Sequence, residues 1–232
     1  MLGIDTATTA TAVALRLPDG DTREGRDDPN TRSASGAAGA HPGHATRLLP
    51  LAAELLATAG LSWNAVERIA VGVGPGTFTG LRVGIATARG LAQALACPLI
   101  GVSSLEALAA PALEEVGAVL AVIDARRGEV FAAAYESASG LVAGPKALAP
   151  EAVGAFAGAG WLAVGDGAVR YREEIGVAGL HVPPQDSPLH VVRAASVCAI
   201  AAARTPTSGA RVAPDYLRRP DAELALEGAE KA

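Results

Sequence analysis

A glycine-rich segment contains the residue types in this sequence that are best suited to ligand chemistry. It reads Gly-Pro-Gly-Thr-Phe-Thr-Gly over residues 74–80 and follows the apolar run 69–73, which predicts a buried strand. After it, apolar residues recur at steps of three and four, which predicts a helix over residues 80–96. A strand, a glycine loop and a helix start can together hold an anion on the exposed N–H groups of the helix.

The segment nevertheless lacks both common phosphate-binding patterns. It does not end in the Gly-Lys-Ser/Thr of a P-loop, and its glycines do not fall at Gly-x-Gly-x-x-Gly. Within the predicted helix, Gly80, Gly84 and Ala88 recur every four residues and form a strip of small residues on one face. Such a strip permits close packing against this protein's own sheet or against another subunit. The pattern alone favours the protein's own sheet.

Two acidic residues end apolar runs at equivalent places in the two halves of the chain. Asp5 ends the run 2–5 and Asp124 ends the run 119–124, and each is followed by a short turn and a second apolar run. The repeated strand–Asp–turn–strand pattern predicts two similar α/β halves joined near residues 100–118.

Other reactive residues do not form a recognisable site. The Pro-Gly pair inside His41-Pro-Gly-His44 precludes a single-helix ligand pair, which predicts two solvent-exposed imidazoles and no metal site. Cys97 and Cys198 are far apart and outside any Cys-x-x-Cys pair, so they are expected to be reduced, buried thiols. The sequence has no Gly-x-Ser-x-Gly nucleophile elbow. A stand-alone peptidase would need a nucleophile–base pair, and the sequence offers none.

The remaining pattern predicts the elements that position these residues. Residues 44–59 are expected to form a helix that Pro50 kinks or delays. Residues 18–43 are turn-rich, which predicts a strand edge and a flexible loop. Further along, the pattern predicts a helix over 150–157, a strand over 161–164 and a helix over 189–204.

Composition narrows the class of protein. Half of the 232 residues are hydrophobic but only 3% are aromatic, so the core is expected to consist of Ala, Val, Leu and Ile. The formal net charge of −5 argues against a main nucleic-acid-binding surface, which normally has a basic excess. No basic segment precedes the first apolar run and no apolar run is long enough to span a bilayer, which predicts a soluble, cytoplasmic protein without a signal peptide.

Several motifs give the sequence a family resemblance. Asp5 and the loop 6–9 resemble the first phosphate loop of the actin, Hsp70 and sugar-kinase superfamily, with which Gly165-Asp-Gly167 is consistent. More narrowly, the ordered set of motifs resembles the TsaB (YeaZ) family, the bacterial partner of the TsaD threonylcarbamoyltransferase. The matching motifs are Ile4-Asp-Thr-Ala-Thr8, His44-Ala-Thr-Arg-Leu-Leu-Pro50, the segment 74–80, Ala88-Arg-Gly-Leu91, Ile100-Gly-Val-Ser103, Asp124-Ala-Arg126, Gly128-Glu-Val-Phe131 and Tyr216-Leu-Arg218.

The resemblance implies a fold and a division of the chain. It implies an α/β protein of the actin/Hsp70-like (ASKHA) fold, with two similar α/β subdomains whose mixed sheets are flanked by helices. The expected division is an N-terminal subdomain with the dimerisation helices over 1–103, a divergent C-terminal subdomain over 104–219 and a flexible tail over 220–232.

The resemblance also implies that catalysis has been lost. Two His of the TsaD metal site correspond here to Ser104 and Leu108, which cannot replace imidazole ligands. Ala7 stands where ATP-binding relatives have a glycine that admits phosphate. Arg126 and Arg127 are expected in a solvated turn rather than a phosphate cradle. We therefore expect no catalytic, cofactor-binding or metal-binding residues and no cofactor. An active nucleotide-dependent transferase or hydrolase is the alternative.

Finally, the resemblance implies partners. The expected function is a non-catalytic dimerisation or scaffold subunit that supports a TsaD-like enzyme in forming N6-threonylcarbamoyladenosine at position 37 of ANN-decoding tRNAs. A TsaE-like ATPase joins a larger complex, the isolated chain forms a homodimer, tRNA is contacted only indirectly, and no membrane is involved. With the family in view, the small-residue strip becomes the expected subunit contact. The expected interface residues are Leu48, Leu55, Thr77, Phe78, Gly80, Leu81, Gly84 and Ala88.

Overall fold

Two mixed β-sheets form the frame of the protein in the computed structural model, which describes residues 1–29, 43–206 and 212–218. The first sheet has the order β3-β2-β1-β4-β5 and the second has the order β8-β7-β6-β9. The strands are β1 (Leu2–Asp5), β2 (Thr11–Arg16), β3 (Thr22–Asp27), β4 (Ile69–Gly74), β5 (Leu99–Ser103), β6 (Ala118–Arg126), β7 (Glu129–Glu136), β8 (Gly140–Leu148) and β9 (Leu162–Val164).

The two sheets begin alike, as the repeated sequence pattern predicts. β1 pairs antiparallel with β2 and parallel with β4, while β6 pairs antiparallel with β7 and parallel with β9. At the end of β1, Asp5 Oδ1 accepts a hydrogen bond from the Ala7 N–H at 2.9 Å. At the end of β6, Asp124 Oδ1 accepts one from the Arg126 N–H at 2.8 Å. Two equivalent Asx turns therefore open two equivalent halves, and the actin-like α/β fold is confirmed.

Helices cover both sheets. α1 and α2 pack on the first sheet, α3 packs between the two sheets, and α6 returns to the first sheet near the end of the chain. The helices are α1 (His44–Thr58), α2 (Phe78–Ala94), α3 (Ser104–Val116), α4 (Asp166–Arg170), α5 (Arg172–Val177) and α6 (Ala194–Ala202), with short 3₁₀ turns at Trp63–Ala65, Pro150–Ala155 and Pro188–His190.

The predicted helices of the first half are confirmed to within two residues. α1 begins at His44 and continues through Pro50, so the proline does not delay its start. The predicted joint near residues 100–118 instead holds β5 and α3, two elements that the sequence pattern did not reveal. Ser103 caps α3 by accepting a hydrogen bond from the Glu106 N–H at 3.4 Å, and Gly117 ends it in the left-handed region.

The second half differs more from the sequence prediction. The helix expected over 150–157 is a 3₁₀ turn, and the helix expected over 189–204 is the 3₁₀ turn Pro188–His190 followed by α6. The edge strand β8 was not predicted. Its residues are all exposed or half-buried, and its sequence contains Gly144 and Pro145, so it lacks the pattern of a buried strand. Of the region 18–43, residues 22–27 form β3 at the sheet edge, and residues 30–42 lie outside the described residues. The predicted tail 220–232 also lies outside them.

Helix α6, near the C-terminal end, packs on the first sheet, although the second half of the sequence contains it. A Cβ at Gly3 would contact Cys198 Sγ at 2.5 Å and Ala194 O at 2.8 Å, so α6 lies directly on β1. The division of the chain near residue 103 stays a prediction, and in space α6 belongs with the first sheet. None of the helices in the described ranges is long and apolar enough to span a bilayer.

Candidate partner surface and the cleft between the sheets

The glycine-rich loop between β4 and α2 packs on the loop that follows β1. Thr77 N–H donates to Ala7 O at 2.7 Å. A Cβ at Gly76 would overlap the Ala7 carbonyl oxygen, and Gly74 has a φ of 106° that favours glycine. The glycines therefore serve a contact between two loops of the same chain.

The small-residue strip of α2 also faces this chain and not a partner. Thr6 Oγ1 donates to Gly80 O at 2.8 Å, and a Cβ at Gly84 would overlap the same Thr6 hydroxyl. A Cβ at Gly80 would likewise overlap Thr6 O. The expectation that Gly80, Gly84 and Ala88 contact another subunit is wrong, because these residues are buried against β1 and its loop or in the core around it.

The other predicted interface residues divide into buried and accessible ones. Leu48 and Leu81 lie in the core and cannot contact a partner directly, which corrects the prediction for both. Leu55 and Thr77 are half-buried, and Phe78 is exposed. An interface role for these three residues stays a prediction.

The outer faces of α1 and α2 enclose an apolar groove that the sequence prediction missed. The groove has a volume of about 540 Å³ and is lined by Leu49, Pro50, Ala53, Trp63, Leu91, Ala94 and Leu95. Leu49 is 45% exposed, and the two alanines are also exposed. An accessible apolar surface on the two predicted dimerisation helices is therefore present, but on residues next to those named from the sequence.

Asp5 is a buried carboxyl that joins the first sheet to α3. It is 1% exposed, and besides the Ala7 N–H its Oδ2 accepts a hydrogen bond from Ser104 Oγ at 2.8 Å. Burial raises the pKa of Asp5 to about 6, against the lowering effect of the two hydrogen bonds. Gly72 leaves the room for this carboxyl, since a Cβ there would overlap it. Asp5 therefore connects the loop after β1 to α3 through two hydrogen bonds.

The two positions that match the TsaD metal ligands are both inside the protein. Ser104 is fully buried with its hydroxyl on Asp5, and Leu108 is a core residue between the sheets. Among the residues that the structure describes, no group of three or more His, Cys, Asp or Glu side chains could hold a metal ion. The side chains at both positions therefore pack inside this chain.

A polar cleft of about 380 Å³ lies between the two halves, with Thr8 and Thr9 on one wall. On the other wall the Asp124 carboxylate is nearly buried and forms ion pairs with Arg126 at 3.1 Å and Arg170 at 3.3 Å. Burial raises the pKa of Asp166, whose Oδ1 accepts a hydrogen bond from the Asp124 N–H. The cleft is thus lined by charges that neutralise one another.

The turn at the end of this cleft matches its prediction. Arg126 and Arg127 are exposed and have φ values of 65° and 56°, followed by Gly128 at 80°. The expected solvated turn is confirmed, although Arg126 also pairs with Asp124.

His44 departs from its prediction. It is 4% exposed at the start of α1, and its Nδ1 shares a hydrogen bond with Thr11 Oγ1 at 2.9 Å. Burial lowers the pKa of His44, so the neutral ring is favoured and the expected exposed imidazole is wrong. His41 lies outside the described residues.

The cysteines are poor nucleophiles in this structure. Cys198 is buried between α6 and β1, and burial raises the pKa of its thiol to about 12. Burial also raises the pKa of the Cys97 thiol. Both are free thiols, as predicted, but Cys97 is half-buried.

Comparison with known proteins gives consistent similarities. A profile of the family described as "TsaD: tRNA N6-adenosine threonylcarbamoyltransferase" matches residues 38–170. The chain is 47% identical over 95 residues to the tRNA threonylcarbamoyladenosine biosynthesis protein TsaB of Escherichia coli, covering 40% of this chain and 41% of the relative. It is 39% identical over 133 residues to the protein of that name in Haemophilus influenzae, covering 56% of this chain and 51% of the relative. The matched regions thus span about half the length of these curated relatives.

Solved structures match almost the whole chain. A Pseudomonas aeruginosa protein described as having similarity to peptidase YEAZ has 33% identity and a TM-score of 0.74, over 94% of this chain and 98% of that protein. A structure of YeaZ from the same organism has 31% identity and a TM-score of 0.73, over 92% and 98%. With the fold, the ordered motifs and these similarities in agreement, the chain belongs to the TsaB (YeaZ) family.

Proposed function

We propose that this chain is a non-catalytic subunit that binds and supports a TsaD-like threonylcarbamoyltransferase. The product of the complex is N6-threonylcarbamoyladenosine at position 37 of ANN-decoding tRNAs, and a TsaE-like ATPase joins a larger assembly. The names of the relatives, which refer to biosynthesis of this modified nucleoside, support the substrate class.

The observation that best supports the non-catalytic role is the set of contacts at the positions where this chain differs from ATP- and metal-binding relatives. Ala7 is fully buried and its carbonyl oxygen accepts from the Thr77 N–H, while Ser104, at the position that matches a metal-binding histidine of the TsaD family, donates its hydroxyl to Asp5. Neither a serine hydroxyl that is bonded to Asp5 nor the buried Leu108 side chain offers a ligand for a transition metal.

This role predicts that the isolated chain binds neither ATP–Mg²⁺ nor a transition metal tightly. We expect calorimetric titration to show no micromolar affinity for ATP, and elemental analysis to show far less than one iron or zinc per chain. The physical reasons are the methyl group of Ala7, where ATP-binding relatives have glycine, and the buried Leu108 in place of a histidine ligand. Stoichiometric ATP or metal would favour the alternative, an active nucleotide-dependent transferase or hydrolase of the actin-like superfamily.

The partner surface in this proposal is the apolar groove of α1 and α2. Burial of exposed apolar area drives most subunit association, and the groove offers such area on two adjacent helices. Half-buried Leu55, which was expected from the sequence, lies on α1 beside the groove residue Ala53. A homodimer of the isolated chain through this face would compete with the TsaD-like subunit, so the homodimer would be a resting form.

The test is reconstitution with the TsaD-like subunit of the same organism. We expect a defined complex by mass measurement, transferase activity that requires both subunits, and no activity of this chain alone. If the TsaD-like subunit reaches full activity alone and forms no complex with this chain, the proposed function is wrong.

A single substitution in the groove should weaken both associations. Ala53→Arg places a long charged side chain in the groove from an exposed helix position, so the fold is retained while the partner is held away. Overfilling a close-packed contact costs about 1–3 kcal/mol, and about 1.4 kcal/mol is tenfold in affinity. We expect about tenfold or greater weakening by ultracentrifugation. The control is Val177→Arg in the second half, at a residue that is 91% exposed. Equal effects of the two variants would place the partner surface elsewhere.

A further inference from the structure

An exposed aromatic and cationic cluster lies at the start of α2, away from the groove. Phe78 and Tyr216 are each 39% exposed, with ring centroids 5.3 Å apart and planes inclined by 30°. The Arg82 guanidinium lies 3.7 Å from the centre of the Phe78 ring, and its Nε donates to Tyr216 Oη at 3.0 Å. The chain has only three Phe and three Tyr, and one of each lies in this cluster.

The cluster is held in place from both sides. The segment 212–218 carries Tyr216 across to α2, and Val212 anchors this segment in the core of the first half. Asp215 N–H donates to Val73 O at 2.7 Å, and Arg218 pairs with Glu129 at 2.9 Å. The rings are therefore ordered before any ligand arrives, which lowers the entropic cost of binding on them.

We infer that this cluster, Phe78, Arg82 and Tyr216, contacts the RNA substrate directly by stacking an unpaired base. Exposed aromatic rings with an arginine are the usual platform for unpaired bases, because every base has an aromatic face and the guanidinium attracts the adjacent phosphate. The inference rests on the proposed function for the identity of the RNA. It departs from the indirect contact that the family resemblance implies, and the overall charge of −5 also argues against a main nucleic-acid-binding surface.

Local charge at the cluster differs from the charge of the whole chain. α2 carries Arg82 and Arg89 and no acidic residue over Phe78–Ala94. Asp215 precedes Tyr216 and lines a separate cavity together with Ser103 and Tyr135. Along α2 the cluster lies about 20 Å from Leu91 of the groove, at a rise of 1.5 Å per residue. One subunit could therefore contact the protein partner and RNA at the same time.

The probe is an unmodified anticodon stem–loop RNA with adenosine at position 37, titrated against the isolated chain and against its complex with the TsaD-like subunit. We expect Phe78→Ala and Tyr216→Ala each to weaken RNA binding by about tenfold, in the range measured for loss of base stacking. Tyr216→Phe is the matched control, because it keeps the ring, and it should remain within about twofold. Arg82→Gln should lower the slope of log affinity against log salt by about one.

Two further measurements make the result decisive. Melting temperature and complex mass are recorded for every variant, so that loss of fold or of the protein partner is not mistaken for loss of RNA contact. A fully paired RNA of equal length should bind more weakly than the stem–loop if stacking is responsible. Unchanged RNA affinity in both alanine variants would overturn the inference, as would a loss that occurs only together with loss of the protein complex. A normal complex mass with unchanged RNA affinity leaves the proposed function intact.

Discussion

Gly84→Ala is expected to destabilise the folded chain by about 1–3 kcal/mol, the usual cost of forcing extra volume into a close-packed contact. The added Cβ would overlap Thr6 Oγ1, the hydroxyl that donates to Gly80 O. Either the hydrogen bond breaks or α2 moves away from β1, and both outcomes disturb the joint between the first loop and the helix. Chemical denaturation of the purified variant measures the change in the free energy of unfolding.

Gly90→Ala is the matched control on the same helix. A Cβ at Gly90 meets nothing within 4 Å, and the residue is exposed. Alanine in an exposed helix interior is favoured over glycine by about 0.5–1 kcal/mol, so this variant should be slightly more stable. Opposite signs at two glycines six residues apart would establish that Gly84 is a packing position. A Gly84 variant of normal stability but weakened association would instead restore the subunit interface predicted from the sequence.

The helical period of α2 identifies which residues share a face, but not what covers that face. Gly80, Gly84 and Ala88 are correctly grouped, and the close approach that they permit does occur. The covering element is β1 with its loop, 74 positions away at Thr6, and such a contact leaves no mark in a local window of sequence. Ala86, Gly90 and Ala94 on the exposed face are as small as the residues of the strip, so side-chain size alone could not separate the two faces either.

The repeated Asp turn was predictable because its cause is local. Asp5 and Asp124 each bond the backbone N–H two residues later, a geometry that needs only the Asp and the following turn. The apolar groove was less predictable, because Leu49 and Leu91 become neighbours only after α1 and α2 have packed on the sheet. The aromatic cluster has the same origin, since Tyr216 reaches Phe78 through the segment that returns from the C-terminal end. A position on a helix face is thus readable from sequence, whereas a contact between distant segments is not.

The burial of His44 shows the same limit. The Pro-Gly pair before it correctly excludes a helical ligand pair, but the loop composition suggested exposure. In the structure His44 begins α1 and faces Thr11 of β2, so the start of the helix places it beneath the first loop. The element boundary was predicted correctly, and only the side-chain environment was not.

Asp5→Asn is expected to stabilise the protein near neutral pH. The folded-state pKa of about 6 lies above the ordinary value of 3.8, so the protonated carboxyl is the form that burial favours. The stability that this carboxyl contributes is fully present below pH 3.8 and is lost as the pH rises through about 6. The shift corresponds to about 3 kcal/mol. Asparagine keeps an oxygen to accept from the Ala7 N–H and carries no charge to desolvate, so the variant should gain about 1–3 kcal/mol at pH 7.

The measurement is the free energy of unfolding of both proteins between pH 4 and pH 8. The advantage of the Asn variant should shrink toward zero as the pH falls to about 4, because the wild-type carboxyl is then neutral as well. Asp19→Asn is the matched control, since Asp19 forms the same type of turn with the Asp21 N–H at 3.0 Å but is exposed. Parallel pH curves for wild type and Asp5→Asn would mean that Asp5 is not held in a desolvated state.

The same variant separates a structural Asp5 from a catalytic one. If Asp5 is only the tie between β1 and Ser104 of α3, the more stable variant should still form the complex and support its transferase activity. If Asp5 instead works on a nucleotide, Asp5→Asn should abolish activity while the fold and the complex mass are unchanged. A carboxylate kept for catalysis commonly costs stability, so a gain in stability alone does not decide between them. Stability and activity measured on one preparation do decide, because only the structural role predicts higher stability without a loss of transferase activity.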